Sequence, residues 1–148
     1  MIQKLLMVCT GNLCRSPMAA ALLKARLKAS GREDIEVSSA GLAACVGEPP
    51  PEPVLTRMKA RGLDVSKHRA RQFTTDIGSD SDLILVMEKV QKRSLENQWP
   101  NYRGRVRMLG EWRGRDVADP YGQSEEVYDA CLASLEDCLN DWDERLFA

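Results

Sequence analysis

The chain has 148 residues, enough for one compact domain with its own core, and its composition is that of an ordinary globular protein, 43% hydrophobic and 29% charged. A net charge of −1 gives no bulk attraction to nucleic acid or to an anionic membrane, and no apolar run reaches bilayer length. The cysteines (Cys9, Cys14, Cys45, Cys131 and Cys138) are odd in number without a CxxC pair, and His68 is the only histidine, which argues against a disulfide framework and a four-ligand zinc site and excludes any two-histidine centre; no metal and no cofactor are expected.

The first residues are too short and too soon interrupted for a signal peptide, and 4–8 read as a first strand in a chain expected in the cytoplasm. A loop over 9–16 follows. A helix starts at Pro17, carries Ala20, Leu23 and Leu27 toward the core, and stops near Gly31. A second strand covers 35–39, with Ile35 and Val37 on one face. Four prolines in 47–53 dictate a loop, and a short helix over 53–61 ends at Gly62. The run 82–87 is continuously apolar, as in a strand buried on both faces. A helix with a weak apolar face covers 88–98, and 105–109 alternates as a fourth strand. The last helix is the clearest. Val127, Cys131, Leu132, Leu135, Cys138, Leu139, Trp142 and Leu146 recur at helical spacing behind a Ser124 cap. Alternating strands and helices predict a single-domain α/β fold, with a four-stranded, mainly parallel sheet and helices on both faces, Rossmann-like or flavodoxin-like.

The chemistry concentrates in Cys9-Thr10-Gly11-Asn12-Leu13-Cys14-Arg15-Ser16-Pro17, between a buried strand and a helix N-terminus. Backbone N–H groups there converge on an anion, and the helix dipole favours negative charge. Gly11 is expected to permit a tight turn that a side chain would obstruct. Arg15 offers a planar fork matching two phosphate oxygens. The same field should hold Cys9 as the attacking thiolate, with Ser16 placed to donate to it. The Gly-Lys-Ser/Thr ending of nucleotide-binding loops is absent. A bare Cys-x5-Arg would read as a buried cysteine and a surface arginine; the strand before it, the glycine within it and Arg-Ser-Pro at its end favour a phosphate-binding loop after strand one.

This loop resembles the signature of the low-molecular-weight protein tyrosine phosphatases, in their bacterial branch. Ser38-Ser39-Ala40-Gly41, His68-Arg69-Ala70-Arg71-Gln72, Leu85-Val86-Met87-Glu88 and Asp119-Pro120-Tyr121 match in order, so the resemblance spans essentially the whole chain. It implies a phosphocysteine mechanism. Cys9 is then the nucleophile, Arg15 the phosphate clamp and Asp119 the general acid and base, although Asp119-Pro120-Tyr121-Gly122 alone is only a turn. Thr10, Gly11, Asn12, Leu13, Cys14 and Ser16 would line the phosphate. Leu42 and Tyr121, with Leu13, would line the mouth, and Asn12, Ser16, Ser39 and His68 would form a supporting network. Alone, His68 reads as a surface residue of a basic stretch. The implied partner is a tyrosine-phosphorylated protein, with a bacterial tyrosine kinase of exopolysaccharide synthesis or export as one such protein. No nucleic acid or membrane insertion is implied, and the chain would be a monomer or weak dimer.

Cys14 is either a thiol that traps oxidised Cys9 reversibly, making the enzyme redox-sensitive, or a packing residue. Cys131 and Cys138 belong to the apolar stripe of the last helix, and Cys45 carries no assignment. Arg57, Lys59, Arg61, Lys67, Arg69 and Arg71 read as a solvated face, and Trp99 and Trp112 as packing anchors. Three rivals use similar loops. Arsenate reduction needs further cysteines in 82–98, where there are none; a phosphocysteine relay has no use for Asp119; an inert oxyanion-binding module has no use for Cys9, Arg15 and Asp119 together.

Overall fold

The computed structural model describes residues 1–147. Strands β1 (Lys4–Cys9), β2 (Glu36–Gly41), β3 (Leu83–Val86) and β4 (Val106–Met108) form one sheet in the order β2-β1-β3-β4. Every pairing is parallel. The helices are α1 (Arg15–Ala29), α2 (Glu52–Ala60), α3 (Thr75–Ser79), α4 (Lys89–Gln98) and α5 (Glu125–Trp142).

Alternation along β1 builds the core. Leu5, Met7 and Cys9 face a layer with Met18, Leu23 and Leu27 of α1 and Leu132, Leu135 and Trp142 of α5. Leu6 and Val8 face the other way, onto Phe73, Leu95 of α4 and Tyr102. A parallel sheet covered on both faces needs apolar residues at every position of its central strands, which is why β3 is Leu-Ile-Leu-Val and wholly buried. The chain passes from β1 to β2 on one side and later to β3 on the other. This leaves a crevice beyond the carboxyl ends of β1 and β3, where open α/β sheets bind their ligands.

Some boundaries differ from expectation. β1 runs on to Cys9, and α1 starts at Arg15 rather than Pro17, because Cys14 takes the cap position. The second strand lies at Glu36–Gly41, one register step beyond the expected 35–39; Ile35 is buried just before it. α3 was not foreseen. Five residues are too few for a periodic signal, and the element depends on the Thr74 hydroxyl accepting the Ile77 N–H at 3.3 Å. Arg57 is not part of a solvated face. It is buried, it bonds Asp129 at 2.8 Å and Glu125 at 2.7 Å, and it ties α2 to α5. Trp112 packs edge-on against Trp142 at 4.3 Å, and Trp99 against Phe73 at 5.0 Å, both as packing anchors.

Candidate active site

Cys9 is the last residue of β1 and Arg15 the first of α1, so strand and helix fix both ends of the loop. Between them Asn12 adopts φ +59°, the only left-handed non-glycine conformation among the described residues. Asparagine tolerates this region best after glycine. It is also pinned from all sides. Its Nδ2 donates to Ser16 Oγ at 2.8 Å and Ser39 Oγ at 3.0 Å, and its Oδ1 accepts the Arg71 N–H at 2.9 Å. Its carbonyl accepts from His68 Nε2 at 2.8 Å. Burial holds His68 below the usual imidazole range, with Arg69, Arg71 and Lys24 pushing the same way against the bond to Asn12.

The Cys9 sulfur lies 2.9 Å from Ser16 Oγ and receives the Asn12 N–H at 3.3 Å. Because Ser16 Oγ already accepts from the Asn12 amide, its own proton is free to point at sulfur. Two donors thus converge on Cys9, an arrangement that stabilises negative charge there.

Arg15 is 2% exposed. Its Nη1 donates to Glu88 Oε1 at 2.6 Å and to the Val117 carbonyl at 2.9 Å. Nη2 lies 3.8 Å from Asp119 Oδ2, and Nε has no partner among the described residues. Burial opposes the guanidinium charge, but Glu88, Cys9 and Asp119 outweigh it and raise its pKa above the usual range. One side of the fork is therefore anchored to protein, while on the Nε/Nη2 edge, the side that meets an oxyanion bidentately, Nε is unpartnered and Nη2 makes only the long ion pair to Asp119. Asp119 stands at the mouth, 51% exposed, with Oδ1 accepting the Tyr121 N–H at 3.1 Å.

Gly11 does not adopt a positive φ, and a Cβ there would meet only Cys45 Sγ at 3.7 Å and Leu13 at 3.9 Å, ordinary contacts. The steric demand falls on Gly41, where a Cβ would lie 2.6 Å from the Thr10 carbonyl oxygen. Residues 42–45 are zipped onto the loop by Leu42 N to Cys9 O, Ala43 N to Thr10 O and Cys45 N to Gly11 O, at 2.9–3.1 Å. Leu42 packs on the second core layer and Leu13 is buried in the first, whereas Tyr121 is 57% exposed. Cys14 is buried with Sγ 3.7 Å from the Tyr128 hydroxyl, and burial pushes its thiol up to about 12. Cys131 and Cys138 are buried in the core.

Sequence reasoning missed Glu88, Gln91 and Arg71. Glu88 ends a matched motif directly after a buried strand, and Gln91 completes with it a capping-box spacing; either signal could have found them. Arg71 also donates from Nε to the Ser39 carbonyl at 2.8 Å. A groove of about 720 Å³ lies away from this mouth. It follows the β2 edge and shares Ser39, His68 and Arg71 with the scaffold of Asn12.

A family model described as low molecular weight phosphotyrosine protein phosphatase matches residues 4–148. The chain is 38% identical over 149 residues to the low molecular weight protein-tyrosine-phosphatase Wzb of Salmonella typhimurium, covering 100% of this chain and 97% of that one. It superposes on the tyrosine phosphatase Wzb from Escherichia coli K30 in complex with sulphate with TM-score 0.90 and 32% identity, over 99% of both chains. It also superposes on YwlE arginine phosphatase, in a cysteine-to-serine variant with a phosphorylated active-site serine. There the TM-score is 0.89 and the identity 30%, over 97% of this chain and 95% of that one. The chain belongs to the low molecular weight phosphotyrosine protein phosphatase family and is a protein-tyrosine-phosphatase.

Proposed function

We propose that the protein hydrolyses phosphotyrosine in proteins through a phosphocysteine formed on Cys9. The observation that carries this reading is the buried Arg15, anchored on one side by Glu88 and Val117, with its Nε unpartnered among the described residues and its Nη2 held only at 3.8 Å by Asp119. Leaving a buried donor unpaired costs about 1–3 kcal/mol, a cost that a bound phosphate would remove.

Cys9 Sγ attacks phosphorus and the bond to the phenolic oxygen breaks. Asp119 gives its proton to that oxygen, so tyrosine leaves neutral. Arg15 and the N–H groups of residues 10–16 hold the equatorial oxygens where charge must be stabilised. Water then attacks phosphorus, Asp119 takes up its proton, and the S–P bond breaks. The Ser16 hydroxyl supports the departing thiolate, and inorganic phosphate is released. Asn12, Ser39 and His68 keep the loop in its conformation, and Tyr121 offers an aromatic edge to the ring of the substrate. The phosphorylated active-site serine of the YwlE variant supports a phosphoenzyme in this fold, and the sulphate of the Wzb structure supports oxyanion binding in it. The physiological substrate in this reading is a cytoplasmic phosphoprotein, with a bacterial tyrosine kinase of exopolysaccharide synthesis or export as the fitting class.

Rapid quench with labelled phosphotyrosine peptide should trap phosphate on Cys9, and Cys9→Ser should turn over nothing while still binding phosphate. Retained turnover in that variant removes Cys9 from the role. A phosphoarginine peptide run in parallel should be a poor substrate; equal or faster hydrolysis would reassign the specificity.

A further inference from the structure

The geometry points to Gln91 as a positioning residue for phosphate transfer, locking the catalytic loop and the arginine clamp to one another. This rests on the phosphatase reading of the site. Gln91 lies in the first turn of α4, is 4% exposed, and uses its whole amide. Its Oε1 accepts the N–H groups of Met87 and Glu88, both at 2.9 Å. Its Nε2 donates to Thr10 Oγ1 at 3.0 Å and to Glu88 Oε1 at 3.2 Å. Glu88 Oε1 is the same atom that holds Arg15 Nη1 at 2.6 Å. One buried amide therefore touches the residue after the nucleophile on one side and the carboxylate orienting the phosphate clamp on the other.

The two halves of the amide do different work. The oxygen caps α4, as the third helical residue of a capping box does. A cap needs only that acceptor. The nitrogen contributes nothing to capping the free N–H groups, yet it is buried and spent on Thr10 and Glu88. Without it, Glu88 loses the donor that fixes which oxygen faces Arg15, and Thr10 loses its link to α4. A displacement near 1 Å in such a clamp costs about 100-fold in rate.

Gln91→Glu separates the two roles. It retains the capping acceptors and removes both donors. It also sets a second carboxylate against Glu88. The other groups around the position are Arg15 and Cys9 from the catalytic loop, and Asp116 and Asp119 from the segment before α5. Asp116 accepts the Lys89 N–H at 2.9 Å, and Asp119 lies 3.8 Å from Arg15. Two adjacent carboxyls share a proton more readily than either takes one alone. Once protonated, the introduced carboxyl is again a donor toward Glu88 or Thr10.

The test compares wild type with Q91E for melting temperature, kcat on an aryl phosphate, and inhibition by inorganic phosphate, from pH 5 to 8. The expected result at pH 7 is a melting point within a few degrees of wild type, kcat lower by about tenfold or more, and weaker phosphate binding. The kcat gap should narrow toward pH 5. Wild-type kcat and phosphate affinity in Q91E overturn the proposal. So does a parallel loss of melting temperature and rate with no recovery toward acid, which is what a cap alone predicts. If Q91E does not fold, Thr10→Val tests the other end of the bond, and an unchanged kcat and phosphate affinity there overturn it equally. Should wild-type turnover prove independent of Cys9, the phosphatase reading falls, and phosphate affinity alone still decides the role of Gln91.

Discussion

His68 Nε2 lies 2.8 Å from the carbonyl oxygen of Asn12, and because a carbonyl only accepts, Nε2 is the protonated ring nitrogen. This bond reaches the one strained residue of the catalytic loop from a strap 56 positions away in sequence.

Burial and the cations Arg69, Arg71 and Lys24 hold the His68 pKa below its unfolded value near 6.5. The unfolded chain therefore binds the proton first as pH falls. The stabilisation from neutral His68 is complete above about pH 6.5 and is lost as pH drops toward the folded pKa. His68→Gln keeps an N–H donor without titrating. The melting-temperature difference between wild type and H68Q should shrink from pH 8 to pH 5. A constant difference would show that His68 titrates alike in both states.

Asn12 combines a left-handed backbone with an amide satisfied by Ser16, Ser39 and Arg71. Asn12→Gly relieves the backbone and loses the bonds; Asn12→Ala loses the bonds and keeps the backbone strain. Urea unfolding should therefore rank wild type above N12G above N12A, with N12A lower than wild type by about 2–4 kcal/mol. Both variants should lose most of their kcat, since neither restores the donor to Ser16. Equal stability of the two variants would show that the conformation of the loop carries no cost.

The Cys14 thiol is pushed up to about 12 by burial beside Tyr128, so little thiolate exists at neutral pH. If it traps oxidised Cys9 as a disulfide, closure should be slow at pH 7 and should accelerate about tenfold per pH unit up to pH 10, following the thiolate fraction. The measurement is recovery by dithiothreitol after peroxide has been kept present for a timed interval, so that sulfenic acid not captured by Cys14 is oxidised on to the sulfinic acid that dithiothreitol does not reverse. Cys14→Ser should recover poorly at every pH. Identical recovery in wild type and C14S would reduce Cys14 to packing.

The four-stranded parallel sheet follows from alternation of apolar runs and helices, and Cys9, Arg15 and Ser16 are readable because one short segment carries them all. What the sequence hides is long-range. Glu88 lies 73 positions from Arg15, Val117 lies 102 from it, and Gln91 lies 81 from Thr10. No local pattern encodes those distances; only the crossing from β1 to β3 brings them together. Gly11 was misread for a related reason. Turn chemistry suggests that glycine takes the strain, whereas Asn12 takes it, because Ser16, Ser39, His68 and Arg71 over-determine its conformation. The weak apolar face of α4 is likewise explained by Gln91, a buried residue that a hydrophobicity pattern counts as polar.

Asp119 is half exposed at the mouth, 3.8 Å from Arg15 Nη2, and its other oxygen accepts the Tyr121 N–H, which orients the carboxyl over the clamp. If it protonates the departing oxygen, its value depends on how much that oxygen needs a proton. Phosphotyrosine releases a phenol with pKa of about 10, a poor leaving group, whereas a nitrophenyl ester leaves more easily. General acid catalysis contributes roughly 10²–10⁴-fold. Asp119→Asn should therefore slow phosphotyrosine hydrolysis within that range and nitrophenyl phosphate by distinctly less. Asp116 is a poor control despite its nearness, because it accepts the Lys89 N–H beside Glu88. The exposed Glu33 is the better one, and Glu33→Gln should leave both rates unchanged. Equal slowing of both substrates by D119N would make Asp119 an orienting partner of Arg15 rather than the acid. Phosphate affinity would then fall with the rate, whereas loss of the acid alone leaves it intact.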